Sequence, residues 1–241
     1  MLVYLDQNHA SRIAKHLRGQ PSHEAFGEAY RALVEVGPIV PPSPFHVLET
    51  RGGYLLPTLK TLFGRLSHGA WVRPWQEVVR RQALRGALDR ADLLAASGDW
   101  QTPATLGPLE PLLDVPLEGT IFARRRTVRA WAALWLDVPL RDARGLPFFD
   151  LLARLVAFRS VDEERAGRPS DRADRGMAAT VAPYVGARAT DRWAAEVLGR
   201  VGHGGAVFSG RRPDVLRFAR WLRERGSRAD DPRQGRERPW S

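Results

Sequence analysis

The chain has 241 residues, 44% of them hydrophobic and 27% charged, enough to bury one core and ordinary for a globular protein. It has no cysteine, which excludes disulfides, thiolate nucleophiles and cysteine zinc sites and is compatible with a reducing cytosol. The formal charge is +10, carried almost wholly by arginine because Lys15 and Lys60 are the only lysines, and a field of this sign concentrates polyanions near the surface.

Leu2 to Leu5 is a short apolar run of strand formers ending at Asp6, and it predicts a buried strand. No basic segment precedes it, so a secretion signal is not expected. No uncharged apolar run is long enough to cross a bilayer, and the expectation is a soluble, cytoplasmic protein with no membrane partner. A first helix is predicted from about Ser11 to Leu17. A second runs from Pro21-Ser22 to Val36 on the helical spacing of Phe26, Tyr30, Leu33 and Val34, with Gly37 as its stop. Pro38 to Pro41 predicts a second strand, and Phe45 to Thr50 begins a helix that carries Glu49.

The middle of the chain is helical by pattern. Val78, Val79, Leu84, Leu88 and Leu93 predict one long helix, Val128, Trp131, Leu134 and Trp135 another, and Leu151, Leu152, Leu155 and Val156 a third. Ser97 to Gly119, rich in Pro and Gly, predicts a long loop between the first two. The last third alternates again. A short helix spans Asp174 to Ala182, and a strand spans Tyr184 to Thr190, ending at Asp191. A helix from Arg192 to Val201, a strand from Ala206 to Ser209 and a helix from Pro213 to Arg225 follow. Strands separated by helices imply a short parallel sheet in a three-layer α/β/α fold. Residues 1–225 are expected to form one domain with a helical insertion at about 75–165, and residues 226–241 a disordered basic tail.

In such sheets ligands sit beyond the carboxyl ends of the strands. Asp6 and Asp191 both end strands, Glu49 begins a helix just after one, and Asp174 opens a helix, so all four can point to that edge. Clustered carboxylates suit the hard cations Mg²⁺ and Mn²⁺, which take oxygen ligands and offset the mutual repulsion of the acids. Alone, Asp174 reads as a helix cap and Asp191 as a turn residue.

Four segments resemble the motifs of PIN domains, in that family's order. Asp6-Gln7-Asn8 at the end of an apolar strand resembles the first, and Ser43-Pro44-Phe45-His46-Val47-Leu48-Glu49-Thr50 the second. Asp174-Arg175-Gly176-Met177-Ala178-Ala179 is similar to the third, and Thr190-Asp191-Arg192, preceded by Pro183-Tyr184-Val185, to the fourth. The resemblance covers roughly the first 70 residues and the last third. It implies a metal-dependent endoribonuclease in which Asp6, Asp174 and Asp191 hold Mg²⁺ or Mn²⁺ and Glu49 binds metal or orients the attacking water. Asn8 and Thr190 are then expected to hydrogen-bond to ligands or water from behind them. Asp171 either faces the same pocket, in place of Asp174 or beside it, or caps the helix. RNA is the expected partner, and an antitoxin, another protein partner or a second copy of the chain fits a toxin or defence effector. The competing expectations are a non-catalytic nucleic-acid or protein-binding module and a structure-specific DNA nuclease.

The six histidines show no metal-binding spacing. His46 reads as a packing or surface residue rather than a pocket residue, and His9 as a weaker candidate for substrate contact. P-loop, dinucleotide and nucleophile-elbow signatures are absent. Arg124, Arg125 and Arg126 precede Trp131 and Trp135 on one helical pattern, which suits RNA contact by phosphate pairing and stacking, or a solvated face over a packed one.

Overall fold

The structure is a computed structural model and describes residues 1–50, 53–85, 89–107, 126, 146–159, 170–202 and 205–229. It is mixed α/β and mostly helical. Strand β1 spans Val3–Leu5 and is followed at once by α1, Gln7–Leu17. A 3₁₀ turn at Pro21–His23 leads into α2, Glu24–Val36. Gly37 closes α2 in the left-handed conformation at φ 65°, where its N–H reaches Leu33 O, a geometry costly for a residue with a Cβ. Helices α3, Pro44–Thr50, and α4, Leu56–Leu66, come next.

Strand β2, Trp71–Val72, helix α5, Trp75–Arg85, helix α6, Arg90–Leu93, and strand β3, Leu94–Ala95, form a small unit in which β2 and β3 pair antiparallel. Helix α7 spans Pro147–Arg159 and α8 Ser170–Val181, the latter running into a 3₁₀ turn at Ala182–Tyr184. The chain then alternates through β4, Ala187–Thr190, α9, Arg192–Arg200, β5, Ala206–Ser209, and α10, Arg212–Ala229.

The main sheet has the order β1-β4-β5, and both pairings are parallel. Val3 lies opposite Ala187, Leu5 opposite Ala189, and Thr190 opposite Ser209. Period-two alternation splits these strands between two cores. Val3, Leu5, Ala187, Ala189 and Phe208 pack with Ile13 of α1, Leu33 of α2, Phe63 of α4 and Phe218 of α10. Leu2 and Tyr4 pack with Phe45 of α3, Val78 of α5, Phe148 of α7 and Met177 of α8.

Several expectations shift. Pro38 to Pro41 does not form a strand: Ile39 alone bridges Leu2, and Val40 N turns to Leu66 O at 2.9 Å. The two prolines have no N–H to give a ladder, which leaves too few donors for one. The long helix expected from Val78 to Leu93 is interrupted, because Asp89 caps a separate α6 by accepting from Ala91 N and Leu94 then enters β3. Helix α8 starts at Ser170, so Asp174 sits a full turn inside it instead of at its first residue. Helix α10 runs to Ala229, four residues into the stretch expected to be tail; residues 230–241, the predicted helix around Trp131 and Trp135, and the loop beyond Gly107 lie outside the described residues.

One buried network pins α3 to β1. Tyr4 Oη lies 2.8 Å from Ser43 Oγ and 2.9 Å from Met177 Sδ. Ser43 N donates to His46 Nδ1 at 3.0 Å, so that nitrogen carries no proton and Nε2–H donates to Leu5 O at 2.8 Å. His46 is therefore a neutral packing histidine, and burial pushes its pKa down to about 4. Replacing Tyr4 with Phe removes the shared hydroxyl and leaves its buried neighbours under-bonded. Urea unfolding is expected to show a loss of about 1–2 kcal/mol, and a loss below about 0.3 kcal/mol would mean that the network does not hold α3.

Candidate functional site

Asp6 follows β1 directly, and its buried carboxylate is bound on both sides. Oδ1 accepts from His9 N at 3.0 Å, which caps α1, while Oδ2 accepts from Asp191 N at 2.9 Å. The backbone N–H of Asp6 itself donates to Ala189 O at 2.9 Å. Burial alone pushes this carboxyl up, but the His9 ring and N–H and the Thr190 hydroxyl outweigh it and hold the pKa at about 2. The ring Nδ1 of His9 lies 3.5 Å from Oδ1, and the His9 ring packs edge-on to Phe26.

Asp191 stands at the equivalent point of β4. It caps α9 by accepting from Ala194 N on Oδ1 at 2.8 Å, and it is half-buried. Two acids thus close two neighbouring parallel strands and each opens a helix, where oriented N–H groups favour negative charge.

Glu49 lies one turn beyond His46 on α3. Its side chain keeps exposed surface although protein surrounds it on most sides, as for a group lining a cleft. Its pKa is pushed up to about 8, first by burial and then by the charges of Asp174, Asp6 and Asp191, while Arg188 pulls the other way. Asp174 reaches this region from α8, one turn before Met177, whose sulfur touches Tyr4. Glu49 therefore feels the charges of Asp174, Asp6 and Asp191. Asp174 cannot be a cap, because the helix is already a turn old where it sits.

The supporting residues divide. Thr190 is buried beside Asp6, with its Oγ1 outside ordinary hydrogen-bond geometry. Asn8 points outward from the first turn of α1, exposed, and makes no hydrogen bond among the described residues. The side chain of Asp171, together with Arg124 and Arg125, lies outside the described residues, and Arg126 is helical and exposed. Among the described residues no three acids or histidines stand together as a ready-made cage for a metal ion. Two of the carboxylates, Asp6 and Asp191, are engaged in capping.

The sequence expectations omitted Arg188. This residue lies in β4 opposite Tyr4, is completely buried, and has no hydrogen-bond partner among the described residues on any of its three guanidinium nitrogens. The signal was visible: Ala187-Arg188-Ala189-Thr190 puts a cation in the middle of a run otherwise fit for a buried strand. No protein-family profile, curated protein or solved structure matches the chain.

Two of the shifted groups, His46 and Glu49, give opposite pH dependences. His46 is depressed from 6.5 to about 4, so stability falls as pH drops through that window. Glu49 is raised from 4.5 to about 8, so its contribution is full below 4.5 and is lost as pH rises toward 8. Between pH 6.5 and 8 only the Glu49 slope remains of the two. Urea titrations in EDTA are expected to show stability falling across that interval in the native chain and level in Glu49→Gln; parallel slopes would remove Glu49 from the crowded site.

Proposed function

We propose that the chain is a metal-dependent endoribonuclease of the PIN-like class, hydrolysing RNA phosphodiester bonds. The observation that carries this is Glu49, whose carboxyl is raised first by burial and then by the charges of Asp174, Asp6 and Asp191, acids drawn from distant parts of the chain. The packing of helices against both faces of the short parallel sheet supports the three-layer α/β/α architecture of that class.

The donor set fits Mg²⁺ or Mn²⁺. All four groups are carboxylates, the oxygen ligands that hard divalent cations prefer, and their crowding is the kind that such a cation relieves. Asp6, Glu49, Asp174 and Asp191 are the residues to hold it. When bound, the ion supplies a more acidic water and stabilises charge developing on the phosphodiester. Glu49 would bind the ion or orient the attacking water, and a bound cation would favour its charged form. Asp6 and Asp191 orient the edge of the site through the helices they cap. Thr190 supports Asp6 from behind, and the excess of arginine supplies attraction for the RNA backbone, with Arg124, Arg125 and Arg126 as candidate contacts. The insertion at about 75–165 would serve as a cap or partner surface, compatible with a toxin or defence effector held by an antitoxin.

A second reading, a non-catalytic nucleic-acid or protein-binding module, is favoured by one observation: both oxygens of Asp6 already accept backbone N–H groups. The assay that decides uses RNA, single-stranded DNA and flap DNA with and without Mg²⁺ or Mn²⁺. RNA is expected to be cut only with the ion. Asp6→Asn and Asp191→Asn keep an acceptor oxygen but are expected to lower the rate at least about a hundredfold, the upper end of what even a supporting residue costs. Cleavage of DNA alone moves the substrate class, and absence of both cleavage and Mn²⁺ binding leaves the binding module.

A further inference from the structure

Arg188 has 0% of its surface exposed, and none of its guanidinium nitrogens is hydrogen-bonded to a described residue. Its Cζ lies 5.9 Å from the centre of the Tyr4 ring, and it forms no ion pair with a described acid. A guanidinium stays charged in a protein, and a buried charge with no partner is strongly unfavourable. Something within reach must offset it. Ala187 and Ala189, on either side, feed the opposite core and bring only methyl groups. On its own face Arg188 lies opposite Tyr4, and Tyr4 is the residue to which Ser43 and His46 fasten α3. Glu49 is the next turn of that helix, Asp174 sits one turn from the Met177 that Tyr4 touches, and Asp6 ends the strand that Tyr4 occupies. The backbone thus sets three of the acids around the position of the guanidinium. Attraction beyond contact distance remains effective there, because little water intervenes to screen it.

We infer that Arg188 is the fixed counter-charge of the acidic site: it offsets the crowded carboxylates from beneath and, as a cation beside them, lowers their affinity for a divalent ion. The unfolding part of this inference stands without the proposed function; the ion-affinity part rests on it.

The test compares native chain, Arg188→Met, Arg188→Lys, Glu49→Gln and the Arg188→Met/Glu49→Gln double variant by urea unfolding in EDTA above pH 8, where Glu49 is charged. Removing one carboxylate is expected to favour the folded state about tenfold more in the Arg188→Met background than in the native one, a coupling of ordinary size for residues sharing a network. Arg188→Lys keeps the charge and responds to Glu49→Gln as the native chain does. Equal effects in the two backgrounds overturn the inference. If Arg188→Met does not fold, recovery of folding in the double variant supports it, and failure of both overturns it. Titration with Mn²⁺ alone adds a readout that a purely packing role would not improve: Arg188→Met is expected to bind several-fold tighter than native, and unchanged or weaker binding overturns the ion-affinity part. If the native chain and every variant fail to bind Mn²⁺, the metal site proposed above falls, and the urea coupling still decides Arg188.

Discussion

The Asp6 carboxylate accepts one N–H from the helix that follows it and one from the end of the neighbouring strand. Those two bonds set where α1 starts, how far β1 extends and where β4 must end. A carboxylate satisfied this way can be buried while charged, because hydrogen bonds from N–H groups replace the water it has lost. Asp191 repeats the device one strand over with Ala194 N. Capping is therefore also what lets two acids stand side by side at the sheet edge, since each rests on the positive end of a helix.

The other two acids are held by packing from the opposite core. Tyr4, Ser43, His46 and Met177 form a buried polar knot that joins β1 to α3 and α8, the helices bearing Glu49 and Asp174. Neutral His46 contributes shape and a single donor, and its ring leans on Phe63 with centroids 4.7 Å apart. The acidic edge thus draws on two cores. The capped pair depends on strand register, and the uncapped pair on how closely α3 and α8 lie against Tyr4. Burial and then the charges of the other three act together on Glu49.

Much of this was legible. An apolar strand that stops at an acid announces where the acid will point, and this held for both Asp6 and Asp191. The parallel order followed from strands separated by helices. What the pattern missed has physical causes. Two prolines removed the donors on which a strand at Ile39 depended, although the run around it is apolar. Hydrophobic spacing carried a helix through Asp89, whose side chain in fact starts a new one. Asp174 was placed at a helix start because polar residues precede it, yet they belong to the same helix, and that displacement removed the capping role. Periodicity also has no means to register a cation inside a strand: Arg188 reads as a surface residue unless the strand is known to be covered on both faces.

The bond between Asp6 and Asp191 joins groups 185 positions apart, and the pairing of β1 with β4 is as distant. Local elements such as α1 and α2 can form while the chain is short, but β1 gains its sheet neighbour only after the whole middle of the chain has been made. Closing so long a loop costs entropy before any contact repays it, which makes the acidic edge a late product of folding. A growing or truncated chain that stops short of β4 carries Asp6 and Glu49 without the strand that brings Asp191 beside them, so the chemistry proposed for this edge is withheld until the last third of the protein is in place.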